Sequence, residues 1–115
     1  MITVSFHEDR ERGSITMRVR GHSNSDKHGK DLICASASIL AYTAAQTLQC
    51  MFADGDLRSK PHIRLDEGDA VITVRPKLNR YTEALHVFFV IQMGYFLLSR
   101  NYPQFVELYS FGESE

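Results

Sequence analysis

Cys34 and His22 are the residues of this chain whose types and positions could make a nucleophile and its base. His22 lies in the polar stretch Gly21-His22-Ser23-Asn24-Ser25-Asp26-Lys27-His28-Gly29-Lys30, whose residue types build loops rather than cores. Cys34 follows at the start of an apolar periodic run for which Asp31 is a natural cap. With Asp31 as N-cap, Cys34 takes the third helical position, where unpaired amides and the positive end of the helix dipole favour a thiolate over a thiol. A neighbouring imidazole would take the thiol proton and later return it to a leaving amine. The helix-start amides, that of Cys34 among them, would hold the oxyanion of a tetrahedral intermediate. Taken singly, a helical cysteine is more often a small apolar filler, and a loop histidine more often a surface residue. Local physics therefore leaves the catalytic and the structural readings both open.

The elements that would bring this pair together are legible in the hydrophobic pattern. Ile2, Val4 and Phe6 alternate with Thr3, Ser5 and His7, and after a charged turn Ile15, Met17 and Val19 alternate with Thr16, Arg18 and Arg20, which predicts a hairpin with one apolar face. A second hairpin is expected from Ile63 and Leu65 through the turn Asp66-Glu67-Gly68-Asp69 to Ala70, Ile72 and Val74, ended by Pro76. Between them a helix should run from Asp31 to about Phe52, stopped by Asp54-Gly55. Its buried stripe is Ile33, Ala37, Leu40, Ala44, Leu48 and Met51, and Ala35, Ser38, Ala41 and Ala45 permit close approach on the other side. A second helix, Tyr81 to Arg100, is apolar nearly all round and so must be covered on more than one side, by the rest of the fold or by a partner chain. Phe105 to Tyr109 reads as a short final strand. The expected fold is α+β, a mostly antiparallel sheet from two β-hairpins with two helices on one face, in the order β-β-α-β-β-α with that last strand possible.

A length of 115 residues suits a single domain spanning 1–115, and 43% apolar with 23% charged residues is the balance of a soluble globular chain. A net charge of -1 gives no global field to attract nucleic acid or an anionic membrane, so neither is expected as a partner. The apolar centre of the second helix, interrupted by Gln92 and preceded by Glu83 and His86, reads as a core helix and not as a membrane span. The N-terminus has none of the features of a secretory signal, and Cys34 and Cys50 on one helix would stand about 24 Å apart, out of disulfide reach. Two thiols and no leader point to the cytoplasm. His22, His28 and Cys34 lack the close ligand pairs of a zinc site, and Cys50 reads as a core residue. His7, His62 and His86 have no partner pattern. Phosphate-loop, dinucleotide-binding and nucleophile-elbow signatures are absent, so no cofactor and no metal is expected.

Gly21-His22 followed by Gly29-x-Asp31-Leu32-Ile33-Cys34-Ala35-x-Ala37-Ser38 resembles the signature of the bacterial ribosomal-processing cysteine protease family Prp. In that family Gly-His-Ala precedes a loop and then Gly-x-Asp-Ile-Val-Cys-Ala, with a serine four residues after the cysteine. The resemblance implies a cysteine endopeptidase that removes a short N-terminal extension from large-subunit ribosomal protein twenty-seven, with Cys34 as nucleophile and His22 as general base. It implies a homodimer, a hinge at Gly21, and support of the helix start and the cysteine environment by Asp31 and Ser38. Ser23 stands where the family usually has alanine and Leu32 where it usually has isoleucine. No third member of a triad is evident, and an apolar groove beside the site is expected because the family's substrates are cut after an aromatic-rich stretch.

Two other readings remain. A phage-type relative would use the same site on a capsid or scaffold protein. A non-catalytic ribosome- or RNA-binding module would instead use the cluster Arg10, Arg12, Arg18 and Arg20, leaving Cys34 inert.

Overall fold

The computed structural model describes residues 1–21 and 30–114. Among them, five strands form one sheet: β1 (Ile2–Asp9), β2 (Ser14–Arg20), β3 (His62–Asp66), β4 (Asp69–Val74) and β5 (Val106–Tyr109), in the spatial order β3-β4-β2-β1-β5. Both expected hairpins are present, and β2 joins them by pairing antiparallel with β1 and with β4. The final strand is real and pairs parallel with β1, Ile2 opposite Val106. The order is thus β-β-α-β-β-α-β, the α+β architecture that the alternation called for.

Two helices cover one face of the sheet, α1 (Lys30–Ala53) and, after a short 3-10 turn at Leu78–Arg80, α2 (Tyr81–Asn101). The period-2 pattern decides which face: Ile2, Val4, Phe6, Ile15, Met17, Ile72 and Val74 are all buried beneath the helices. From α1 the buried residues are Ile33, Ala37, Ala41, Ala44, Ala45 and Leu48. The alanines leave the backbone open to α2, and Gly94 of α2 completes the approach, since a methyl group there would meet Leu40 Cδ2 at 2.5 Å. Across the same seam the buried Tyr95 donates its hydroxyl to the Ala37 carbonyl at 2.7 Å. Phe6 lies against Phe88, Tyr95 and Phe111, with centroids 6.5, 6.2 and 5.4 Å away.

Residues 78–101 form a helix long and apolar enough to cross a membrane by length and composition, longer than the apolar run suggested. Its Ala84, Phe88, Ile91, Tyr95 and Leu98 stripe is nonetheless part of the core. The opposite side is not covered: Phe89, Val90, Met93, Phe96 and Leu97 are exposed.

Two expectations need correction. Cys50 is exposed rather than in the core. Sixteen residues beyond Cys34 it falls roughly 160° round the helix, outside the stripe that meets the sheet and α2, where Gln46 Nε2 reaches its sulfur at 3.6 Å. The start of α1 also differs, because it opens at Lys30 and not after a cap at Asp31. Cys34 is therefore the fifth helical residue, and its amide belongs to the ladder of bonds four residues back, so it does not point free toward a substrate oxyanion.

The underside of the hairpin turn is tied to α2 by Tyr81, whose hydroxyl donates to Glu8 Oε2 at 2.6 Å. Burial, then the Glu8 carboxylate, raise the Tyr81 phenol to about 12. An unfolded chain would lose this proton near 10, so the contribution is complete below pH 10 and fades as the pH rises toward 12. Absorbance titration should show Tyr81→Phe removing a late phenol transition; loss of an ordinary one instead would contradict the Glu8 contact.

Candidate active site

At one end of the sheet lie the start of β1, the end of β2 and the turn between β3 and β4, because the antiparallel register sets Thr3 opposite Arg20 and Arg20 opposite Asp69. Over this end stands the first half of α1. The gap between them is a cavity of about 450 Å³, within the range of peptide and small-ligand sites. Cys34, Ala37, Ser38, Ala41 and Tyr42 line its helical side. Their spacing is that of a single helical face, so Cys34 and Ser38 stand one turn apart on the same wall. Ile2 and Val19 lie beneath, Leu65 and Ala70 line it from the second hairpin, and Asp66, Glu67, Gly68 and Asp69 form its lip.

Three sequence-selected residues therefore line one cavity: Gly21, Cys34 and Ser38. His22 lies outside the described residues, as does the side chain of Asp31. Cys34 is half-buried, exposed enough to meet a substrate and packed on the edge of the core. Gly21 has φ +94, and a Cβ there would stand 2.2 Å from the Met1 carbonyl oxygen. Its amide donates to the Gly68 carbonyl at 2.9 Å, which fastens the end of β2 to the tip of the second hairpin.

That tip is held in turn by charge. Arg18 grips both oxygens of Asp69, Nε to Oδ1 at 3.1 Å and Nη2 to Oδ2 at 3.2 Å, and Arg64 adds a further bond to Oδ2. The Arg18 hydrogen bond above all, with the two guanidinium charges, holds the Asp69 carboxyl below its ordinary value against a partial opposing effect of burial. The clamp is thus intact at neutral pH and is lost as the carboxylate is protonated in acid. Arg64 also pairs with Asp66 at 3.3 Å, Arg10 with Glu8 at 3.5 Å and Arg12 with Asp9 at 3.8 Å. Three of the four arginines of the first hairpin that were candidates for an anionic partner, Arg10, Arg12 and Arg18, thus stand beside carboxylates.

Sequence reasoning missed the walls. Tyr42 is eight residues beyond Cys34 and so on its face, a signal the helical periodicity already contained. Leu65 and Asp69 could not be found that way, because only the register of the two hairpins brings the second turn beneath α1.

A cysteine on the wall of a peptide-sized cleft, between the first half of a helix and a hairpin tip, is an arrangement suited to a thiol hydrolase. The chain belongs to the cysteine protease Prp family, whose model matches residues 1–107. The fold agrees with SMU.848 from Streptococcus mutans at 20% identity and a TM-score of 0.67, covering 96% of this chain and 94% of that one. It agrees equally with the ribosomal processing protease Prp from S. aureus in complex with a substrate peptide, at 20% identity, 96% and 99% coverage and a TM-score of 0.67. The same S. aureus protease with a covalently linked product peptide matches at 21% identity, with the same coverage and a TM-score of 0.66. A comparison with curated proteins finds no match.

Proposed function

We propose that this protease removes the short N-terminal extension of large-subunit ribosomal protein twenty-seven through a Cys34–His22 dyad. The observation that carries the reading is Cys34 on the wall of the cleft that also ends at Gly21, the residue before His22, in a chain of the Prp family. His22 takes the Cys34 proton, and the sulfur attacks the scissile carbonyl. The tetrahedral intermediate expels the new N-terminal amine, which receives that proton from His22. Water, deprotonated by His22, then attacks the thioester, releasing the extension as a carboxylate and returning the thiol.

The cleft supports an extended peptide as substrate. Tyr42 and Leu65 provide apolar walls of the kind an aromatic-rich cleavage site would need. The S. aureus relative was solved with a substrate peptide and with a covalently linked product peptide, which supports a peptide as the class of substrate. Ser38, one turn beyond Cys34, and Asp31, in the first turn of α1, are assigned support of the cysteine and of the helix start. The enzyme works as one domain in the cytoplasm, and the exposed apolar ridge of α2, Phe89, Val90, Met93, Phe96 and Leu97, is its homodimer interface. No observation favours the RNA-binding alternative. A phage-type capsid substrate would use the same machinery.

The reading is tested with a peptide spanning the ribosomal-protein extension and the mature N-terminus, incubated with reduced wild type and with His22→Ala. Wild type should cut at one bond and His22→Ala should be slower by at least about a hundredfold, the usual contribution of a general base. A folded wild type that leaves the peptide intact would rule out this substrate.

A further inference from the structure

β3 is an outermost strand of the sheet, paired with β4 on one side and, among the described residues, with no strand on the other. Its register decides which of its peptide groups face that open side. Asp66 lies opposite Asp69 across the two-residue turn Glu67-Gly68, so these two exchange the closing pair of ladder bonds. The alternation of an antiparallel ladder then turns Arg64 toward Val71 and His62 toward Thr73, and points the N–H and C=O groups of Ile63 and Leu65 outward. Among the described residues, no hydrogen bond reaches those outward groups. Sheets ordinarily blunt such an edge with a bulge, a proline or an inward-pointing charge. Here the register from His62 to Asp66 is unbroken, Pro61 precedes the strand, and Arg64 pairs with Asp66 and Asp69 on the face away from the helices.

The open edge borders the cleft. Leu65 sends its side chain to the helical side of the sheet, where it lines the cavity with Cys34, Ser38 and Tyr42 of α1, and both Leu65 and Tyr42 are exposed. We propose that the free edge of β3 is the docking strand for substrate: the chain preceding the scissile bond pairs with the outward peptide groups of Ile63 and Leu65 and runs beneath α1 to Cys34. The inference rests on the reading of this chain as a protease that removes an N-terminal extension. A strand added to an edge gains main-chain bonds whatever its sequence, while alternate side chains supply the selection. Every second side chain of the docked segment would enter the space between β3 and α1, where Leu65 and Tyr42 favour an aromatic or aliphatic residue. Pairing also fixes the direction of the backbone, so that the scissile carbonyl arrives oriented at the sulfur. The other edge strand, β5, lies beyond β4, β2 and β1 and contributes nothing to the cavity wall.

The test follows amide hydrogen exchange by NMR in full-length Cys34→Ala, which keeps the ribosomal-protein peptide uncut. Without peptide, Ile63 and Leu65 should exchange rapidly and Arg64, bonded to Val71, slowly; saturating peptide should slow Ile63 and Leu65 by at least about tenfold. With wild type, N-methylation of successive residues before the scissile bond should lower kcat/KM by about tenfold at every second residue and by less than about twofold at those between. Leu65→Pro removes one outward N–H and leaves the bonds to β4, so it should cut about tenfold less efficiently than Leu65→Ala; the N-methyl series decides the matter if the proline variant does not fold. Cleavage by wild type with Ile63 and Leu65 unprotected, or an N-methyl series without alternation, would overturn the proposal and leave the protease reading standing. Protection of both amides by a peptide that wild type does not cut would support the docking edge and overturn the assigned cleavage. A peptide that is neither cut nor protective would overturn both.

Discussion

Cys34→Ala is expected to reduce peptide cleavage by at least about a thousandfold, because removing the nucleophile of a covalent mechanism leaves only binding and residual electrostatic help. The loss should be chemical and not structural. Cys34 is half-buried on the edge of the core, its replacement is the best helix former, and the change in stability should stay within about 1 kcal/mol. Cys50 supplies the internal control. It is exposed on another face of the same helix, lines no part of the cleft, and Cys50→Ala should cleave like wild type. Equal losses in the two variants would mean that the effect is one of α1 as a whole.

Gly21→Ala should be the most damaging single methyl group at the site. The residue is left-handed, at φ +94, which costs a residue with a side chain about 1–2 kcal/mol. The added carbon would also stand 2.2 Å from the Met1 carbonyl oxygen, and that carbonyl has little room to retreat, because the next amide, of Ile2, is bonded to the Phe105 carbonyl at 2.8 Å. Overpacking of this kind adds about 1–3 kcal/mol. The sum predicts a fall of about 10 °C or more in the melting temperature, together with loss of cleavage. Gly112 separates the two causes: it is also left-handed, at φ +86, but nothing lies within 4 Å of its missing carbon. Gly112→Ala should therefore cost only the backbone strain, about 1 kcal/mol. Similar melting temperatures for the two alanine variants would show that the contact with Met1 does not constrain Gly21.

Much of the fold was legible because it depends on local periodicity. The alternation Ile2, Val4, Phe6 and Ile15, Met17, Val19 both predicts the first hairpin and selects its buried face, and the helical spacing from Ile33 to Leu48 does the same for α1. What remained hidden depends on how elements meet. Cys50 looked like core because it is an apolar type on an apolar helix, yet whether a helix face is buried is decided by its neighbours, and α1 turns that face to solvent. The first helical residue moved back by two, from Leu32 to Lys30, enough to take the Cys34 amide out of the set of free donors. At the site, Cys34, Gly21 and Ser38 were accessible from a short motif. The cleft walls were only half accessible: Tyr42 follows from helical geometry, whereas Leu65 and Asp69 arrive from a hairpin thirty or so residues away in sequence through strand register. The pattern of side chains on β2 marked Arg18 as outward-facing, but not that its partner would be the carboxylate at the tip of the second hairpin.

The most direct test of the account is the site of covalent capture by a substrate-like electrophile. Reduced, folded wild type would be treated with a chloromethyl ketone of the peptide that precedes the scissile bond, and the modified residue located by mass spectrometry of the digested chain. The account predicts one adduct per chain, on Cys34, with Cys50 unmodified although it is the more exposed thiol, and with free substrate peptide slowing the reaction. Modification of Cys50 in preference to Cys34, or of both at equal rates without protection by peptide, would contradict the assignment of Cys34 as the nucleophile.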